Sequence, residues 1–174
     1  GYIREWGMEQ CIRDLRIAQI YEGTNGVQSQ DLIGRKTIKC NGEFITEYIT
    51  EIRDFANSLD ADLNFIKDAT LDAATEVESV TQYILEAAKD NAEFANSAAV
   101  DYLHAVGLLS FAYMFARIAN AAKVKEGDFY QNKLLLARYF TDRILPELAV
   151  RITKVKAGSD LIMSLSEDYF TTQS

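Results

Sequence analysis

Apolar residues recur at three- and four-residue intervals along nearly the whole chain, a spacing that lines them up on one side of a helix and not on alternate sides of a strand. The first such stripe, Met8, Cys11, Ile12, Leu15 and Ala18, predicts a helix over Arg4 to Ile20 that ends in the turn Tyr21-Glu22-Gly23-Thr24. Asn25 is suited to cap a second helix, with Gln28 reaching back in a capping box. That helix runs through Asp31-Leu32-Ile33-Gly34-Arg35-Lys36 and stops before Asn41-Gly42.

From Glu43 the pattern Phe44/Ile45, Tyr48/Ile49, Ile52, Phe55/Ala56 and Leu59 predicts a third helix, interrupted around Ser58 to Asp62. Leu71, Ala74, Val77, Thr81, Ile84/Leu85 and Ala88 predict a fourth, ended by the polar cluster Lys89-Asp90-Asn91. A long helix starting at Ser97 or a neighbour then carries Tyr102, Leu103, Val106, Leu109, Tyr113 and Ala116 and ends before Glu126-Gly127. Its middle is apolar on most sides, so it is expected at the centre. Asp128 is placed to cap a last helix with Leu134, Leu135, Phe140, Ile144/Leu145, Leu148 and Ile152, in which Pro146 removes the backbone bond to residue 142 and predicts a kink. Gly158 closes the regular pattern, leaving one short turn and a frayed end. The expected fold is all-α: an antiparallel four-helix bundle over residues 39–174, preceded by a separate helical unit over residues 1–38.

With 48% hydrophobic residues in 174, the chain can build a core, which excludes a disordered polypeptide. The formal charge of −8, from 26 acidic and 18 basic residues with no basic patch, argues against nucleic-acid and anionic-membrane partners. The longest run free of Asp, Glu, Lys and Arg, Tyr102 to Ala116, is shorter than the roughly 20 residues of a membrane span. Cys11 and Cys40 are too few and too far apart for a disulfide scaffold or metal site; they read as small packing residues, and the expected compartment is the cytoplasm. A chain that starts at Gly1 inside a regular pattern, without a secretory signal, is expected to be a piece of something longer.

Asp101 and His104 share the i, i+3 spacing of di-iron bundles, but such a site needs two pairs and His104 is the single histidine. Phe111, Tyr113 and Phe115 read as bundle core, and Glu76/Glu78 and Glu167/Asp168 as solvated faces. The chemistry is concentrated in the turn after the first helix. Gly23 lets the backbone approach a bound molecule, and Glu22 projects from a bend. Ile17, Ile20 and Tyr21 offer apolar surroundings that would strengthen a carboxylate as a base for a weakly acidic C–H. Thr24, Asn25 and the first amides of the next helix form an electropositive end suited to a phosphate or a polar ring edge. On residue types alone Glu-Gly-Thr-Asn is also ordinary turn chemistry, and both readings stand.

The longer string RDLRIAQIYEGTNGVQSQDLIGRK resembles the C-terminal helical domain of acyl-CoA dehydrogenases, where an Arg-Asp-x-Arg-Ile helix leads into Ile-Tyr-Glu-Gly-Thr. From the opening GYIREWGMEQ through Lys36 the resemblance is continuous, and it points to the bacterial branch with an additional C-terminal helical domain. The resemblance implies that Glu22 is the catalytic base, removing the α-proton of an acyl-CoA while the β-hydride passes to FAD. It further implies that Gly23 lies against the substrate, that Thr24, Asn25 and Gly26 touch FAD, and that the Glu22 amide helps bind the thioester carbonyl. Arg13 with Asp14, or Arg16, would be structural ion pairs. The implied partners are an acyl-CoA, an electron-transferring flavoprotein as acceptor, and further copies in a dimer or tetramer. Because the segments that cover the flavin in that family are not in the 174 residues, the chain alone is expected to be inactive. The contrasting reading is a non-catalytic helical oligomerisation or interaction module derived from the same family.

Overall fold

The computed structural model of the protein describes residues 3–20 and 24–170, and among them it is helical with no β-strand. A 3-10 turn, Arg4–Trp6, precedes α1 (Glu9–Ile20). Next comes α2 (Asn25–Gln30), continued by a π-helical stretch Asp31–Ile38, then α3 (Glu43–Asn57), α4 (Asn64–Asp90) and α5 (Ala92–Ala122). The last long rod is α6 (Asp128–Tyr139), a second π-helical stretch Phe140–Ile144, and α7 (Glu147–Lys156); a short α8 (Asp160–Met163) follows.

Cross-helix contacts fix the topology. Near one end Ile66 of α4 clusters with Ala116 and Ala119 of α5, and near the other Val80 and Ile84 cluster with Phe94, Ala98 and Ala99, so the two central helices are antiparallel. Arg53 of α3 reaches Glu78 of α4 at 2.8 Å, and Arg151 of α7 reaches Asp101 of α5 at 2.9 Å. Tyr48 donates to Ser110 at 3.0 Å and Tyr113 to Glu51 at 2.9 Å, joining α3 to α5. The all-α antiparallel bundle is thus as the periodicity predicts.

Small residues let the central pair close up. Ala73 and Ala74 on α4, and Ala98, Ala105, Ala112, Ala116 and Ala119 on α5, are all buried. The backbones then approach closely enough for Ile52, Ile66 and Ile84 to be fully enclosed. Each of these is worth roughly 2–3 kcal/mol of transfer free energy. By length and composition α5 would also suit a membrane span, yet half of its most apolar window is buried inside the protein, as in a core helix.

Several boundaries differ from the sequence expectation for local reasons. The first helix is not continuous from Arg4: Gly7, at φ +68°, turns the chain left-handed and ends the opening 3-10 turn. The fifth begins at Ala92 and not at Ser97, because the Asn91 side chain accepts from the amides of Glu93 (3.0 Å) and Phe94 (3.2 Å). Gly127, and not Asp128, occupies the cap of α6. At Pro146 the kink takes the form of a π turn, with the Leu145 amide bonded to the Phe140 carbonyl at 2.9 Å directly before the residue that has no N–H to give. Asn41-Gly42 ends the second helix as expected, both residues at positive φ. The stripe on α1 is not packed among the described residues: Met8, Cys11, Ile12 and Leu15 are exposed. Cys40 is half-buried, and its thiol reaches the Arg35 carbonyl at 3.3 Å. Of the three aromatics read as core, Tyr113 is buried and Phe111 exposed. Residues 25–38, assigned to the N-terminal unit, send Ile33 and Thr37 into the bundle core.

Candidate active-site turn

Glu22 and Gly23, the expected base and substrate contact, lie outside the described residues, as does Tyr21. Thr24 is described, and it begins α2. Its hydroxyl accepts from the Val27 amide at 3.4 Å and its carbonyl accepts from Gln28 at 3.1 Å. The cap is therefore Thr24 and not Asn25, which is the first helical residue. Ser29 sits one turn further, fully buried, its hydroxyl donating to the Gly26 carbonyl at 2.8 Å.

Three predicted contact residues, Thr24, Asn25 and Gly26, are brought together at this helix start. Thr24 and Asn25 are exposed and Gly26 is half-buried. Among the described residues a Cβ added at Gly26 would meet only the Thr24 hydroxyl, at 3.8 Å, so they leave the space beside this backbone open. The Asn25 carboxamide and the amides of Asn25 and Gly26, with no described side chain in the way at Gly26, fit a polar or anionic group such as a flavin nucleotide.

The helical rod that follows Thr24 is fixed to the bundle at its far end, Thr37, by a buried polar cluster that the hydrophobic pattern concealed. Tyr102 on α5 is fully buried and lies 2.9 Å from the Thr81 hydroxyl on α4 and 3.5 Å from the Thr37 hydroxyl at the end of the second helix. Thr37 donates to the Leu32 carbonyl at 2.9 Å and Thr81 to the Val77 carbonyl at 2.7 Å, so their protons are committed and Tyr102 is the donor to Thr81. Burial pushes the Tyr102 phenol above the ordinary tyrosine range, keeping it neutral. With Ile33 packed beside it, this cluster ties the α2 rod to the central pair. The available signal was a tyrosine in the stripe of a helix expected to be central, since a buried phenol needs a partner.

Other candidate residues have structural partners. Arg13 pairs with Glu9 at 2.5 Å and not with Asp14. Arg35 and Lys36 flank Asp31 at 2.6 and 3.6 Å. Asp101 is held by Arg151, His104 is exposed, and among the described residues no group of three or more His, Cys, Asp or Glu is placed to hold a metal. Glu78 is engaged by Arg53 and is not a merely solvated carboxylate. Glu167 and Asp168 have no described side chains.

Comparison with known proteins adds the context. The family described as acetyl-CoA dehydrogenase C-terminal like matches residues 48–166. The chain is similar to a broad-specificity linear acyl-CoA dehydrogenase of Mycobacterium tuberculosis, 26% identical over 186 aligned positions that take in 98% of this chain and 30% of that protein. It is similar to the 3-methylmercaptopropionyl-CoA dehydrogenase of Ruegeria pomeroyi, 26% identical over 95% of this chain and 30% of the relative. A butyryl-CoA dehydrogenase of Syntrophomonas wolfei is likewise 26% identical over 98% of this chain and 30% of its own length. The chain thus spans about 30% of the length of these curated relatives.

Proposed function

The chain belongs to the acetyl-CoA dehydrogenase C-terminal-like family, and from that premise we propose that it is the C-terminal portion of an FAD-dependent acyl-CoA dehydrogenase that converts an acyl-CoA to a trans-2,3-enoyl-CoA. The observation that carries this reading is the Tyr-Glu-Gly-Thr-Asn string, set directly before a helix start whose exposed Thr24, exposed Asn25 and open Gly26 leave room for a polar ligand. Similarity over 95–98% of this chain to a 30% share of each of three acyl-CoA dehydrogenases supports it.

In the proposed reaction Glu22 takes the α-proton of the thioester. Its carboxylate becomes a carboxylic acid, and the electron pair left on the α-carbon forms the new double bond as the β-hydride departs. FAD, when bound, supplies the acceptor for that hydride. By the resemblance Gly23 would lie against the substrate, and the Glu22 amide would help bind the thioester carbonyl, where negative charge builds as the proton leaves. Thr24, Asn25 and Gly26 are the residues that would hold the cofactor. The electrons then leave to an electron-transferring flavoprotein, the working protein is a dimer or tetramer in the cytoplasm, and the 174-residue chain taken alone is inactive.

Replacing Glu22 by Gln in the intact protein tests the assignment. Flavin content and thermal stability should stay as in the parent, while the rate of acyl-CoA-dependent flavin bleaching should fall by at least about a thousandfold, at the upper end of general-base effects. A variant that still bleaches at the parental rate removes Glu22 from the mechanism.

A further inference from the structure

Among the described residues two stretches are π-helical, and only one has a local cause. Phe140–Ile144 leads into Pro146, the single proline of the chain, which lacks the N–H that a regular helix would use. Asp31–Ile38, in the rod that starts at Thr24, holds no proline, yet the Lys39 amide bonds to the Gly34 carbonyl five residues back, at 2.9 Å. Two side chains keep the same spacing. The Thr37 hydroxyl donates to the Leu32 carbonyl at 2.9 Å and the Cys40 thiol to the Arg35 carbonyl at 3.3 Å. On α3 and α4 the hydroxyls of Thr50, Thr70 and Thr81 reach four residues back, as a regular helix allows.

We propose that the extra residue held by this wide stretch is a positioning device: it sets the angle at which Asn25 and Gly26, at the start of the rod, face the cofactor. The role rests on the reading of that start as a flavin contact. Wide turns of this kind are rare in proteins and occur mostly where a function requires them.

The rod is seated at both ends. Ser29, Ile33 and Thr37 are its buried residues, at 0%, 2% and 0% exposed. They stand four apart, and a regular α-helix carries each such step about 40° round its axis, which would leave the two ends of the row ~80° out of line. Turns bonded five residues back bring the row onto one side. At the far end Thr37 lies 3.5 Å from the buried Tyr102 phenol; at the near end the Ser29 hydroxyl donates to the Gly26 carbonyl at 2.8 Å. The direction in which exposed Asn25 and half-buried Gly26 face therefore follows from the number of residues between the two seats, and not from the Thr24 cap alone.

With one residue fewer, the same span can run as a regular α-helix. Thr37 would then stand three positions after Ile33, still on the same side, so the rod keeps its seats in the bundle. Relative to Tyr102, the start of the rod would be turned by some tens of degrees and moved by about 1 Å. Cofactor binding, and not folding, should register the loss.

The test uses the intact protein in three forms: the parent, a variant lacking Gly34, and Gly34→Ala, which keeps the length. FAD titrated into flavin-free protein and followed by flavin fluorescence gives the affinity, and urea unfolding of the same flavin-free samples gives the stability. The shortened variant should unfold at a urea midpoint no lower than the parent's and bind FAD at least about tenfold more weakly, as the loss of one or two hydrogen bonds predicts. Gly34→Ala should bind as the parent does. A shortened variant that binds FAD like the parent overturns the proposal. So does one that unfolds at a lower midpoint, since the extra residue then serves packing, and so does weakened binding in Gly34→Ala, which would make the glycine and not the residue count responsible. A parent that takes up no FAD removes the flavin reading itself, and this role with it.

Discussion

The phenol oxygen of Tyr102 lies 2.9 Å from the hydroxyl of Thr81, inside a core where both side chains are almost fully removed from solvent. Tyr102→Phe leaves the ring and removes the donor, so the buried Thr81 oxygen loses one partner. The expected loss is about 1 kcal/mol, seen as a lower urea midpoint at unchanged slope.

The same phenol sets an alkaline limit. Its pKa in the folded protein is raised above the ordinary value of 10.0 by burial, so the folded state holds the proton more tightly than the unfolded chain. The stabilisation is complete below pH 10 and is lost as the pH climbs from there through the folded value. Tyr113, also raised chiefly by desolvation, contributes in the same direction. A stability profile above pH 10 should fall less steeply in Tyr102→Phe than in the parent.

Arg53 and Glu78 tie α3 to α4 at 2.8 Å, and the hydrogen bond from Arg53 holds the Glu78 carboxyl below its ordinary 4.5. A lowered carboxylate pKa stabilises the fold above the unfolded value and ceases to do so as pH falls through the folded one. Glu78→Gln should therefore cost about 0.5 kcal/mol at neutral pH, and the difference from the parent should vanish in acid once the pH lies below the lowered folded value. Paired urea titrations at the two pH values measure it.

Gly42 and Gly34 should respond to alanine with opposite signs. At Gly42, φ is +77° and the new Cβ would meet Leu85 Cδ1 at 3.1 Å, so Gly42→Ala should destabilise by about 1–2 kcal/mol. At Gly34 the backbone is helical and nothing lies within 4 Å, so Gly34→Ala should stabilise by roughly 0.5–1 kcal/mol. Thermal unfolding of the two variants decides the matter.

Thr24→Val keeps the shape of the side chain and deletes the oxygen that receives the Val27 amide. It should cost about 1 kcal/mol, and Thr24→Ser should restore nearly all of it. If Thr24 also touches flavin as proposed, the valine variant of the intact protein should carry less FAD than the serine variant.

Much of the architecture was readable from local chemistry. A three- and four-residue apolar period needs no partner to be recognised. Asn41-Gly42, Gly158 and Pro146 act on their own backbone, through left-handed φ or a missing N–H, so the breaks they cause fall where the residues do. The start of α5 was harder to place. In sequence Asn91 reads as the end of one helix, while in the structure it is also the cap of the next, and its side-chain amide donates to Ser159 at 2.9 Å, a contact that sequence order does not suggest.

Residue order alone therefore determined the helices, their number of long rods, and the Tyr-Glu-Gly-Thr-Asn signature, because each depends on neighbours within about one turn. Which of two similar stripes is covered was decided only by tertiary packing. Met8, Ile12 and Leu15 look as buriable as Ile45, Ile49 and Ile52, yet the first set is exposed and the second enclosed. Burial is a property of what stands opposite, and so is the donor role of Tyr102, whose two threonine neighbours come from elements 21 and 65 residues away along the chain.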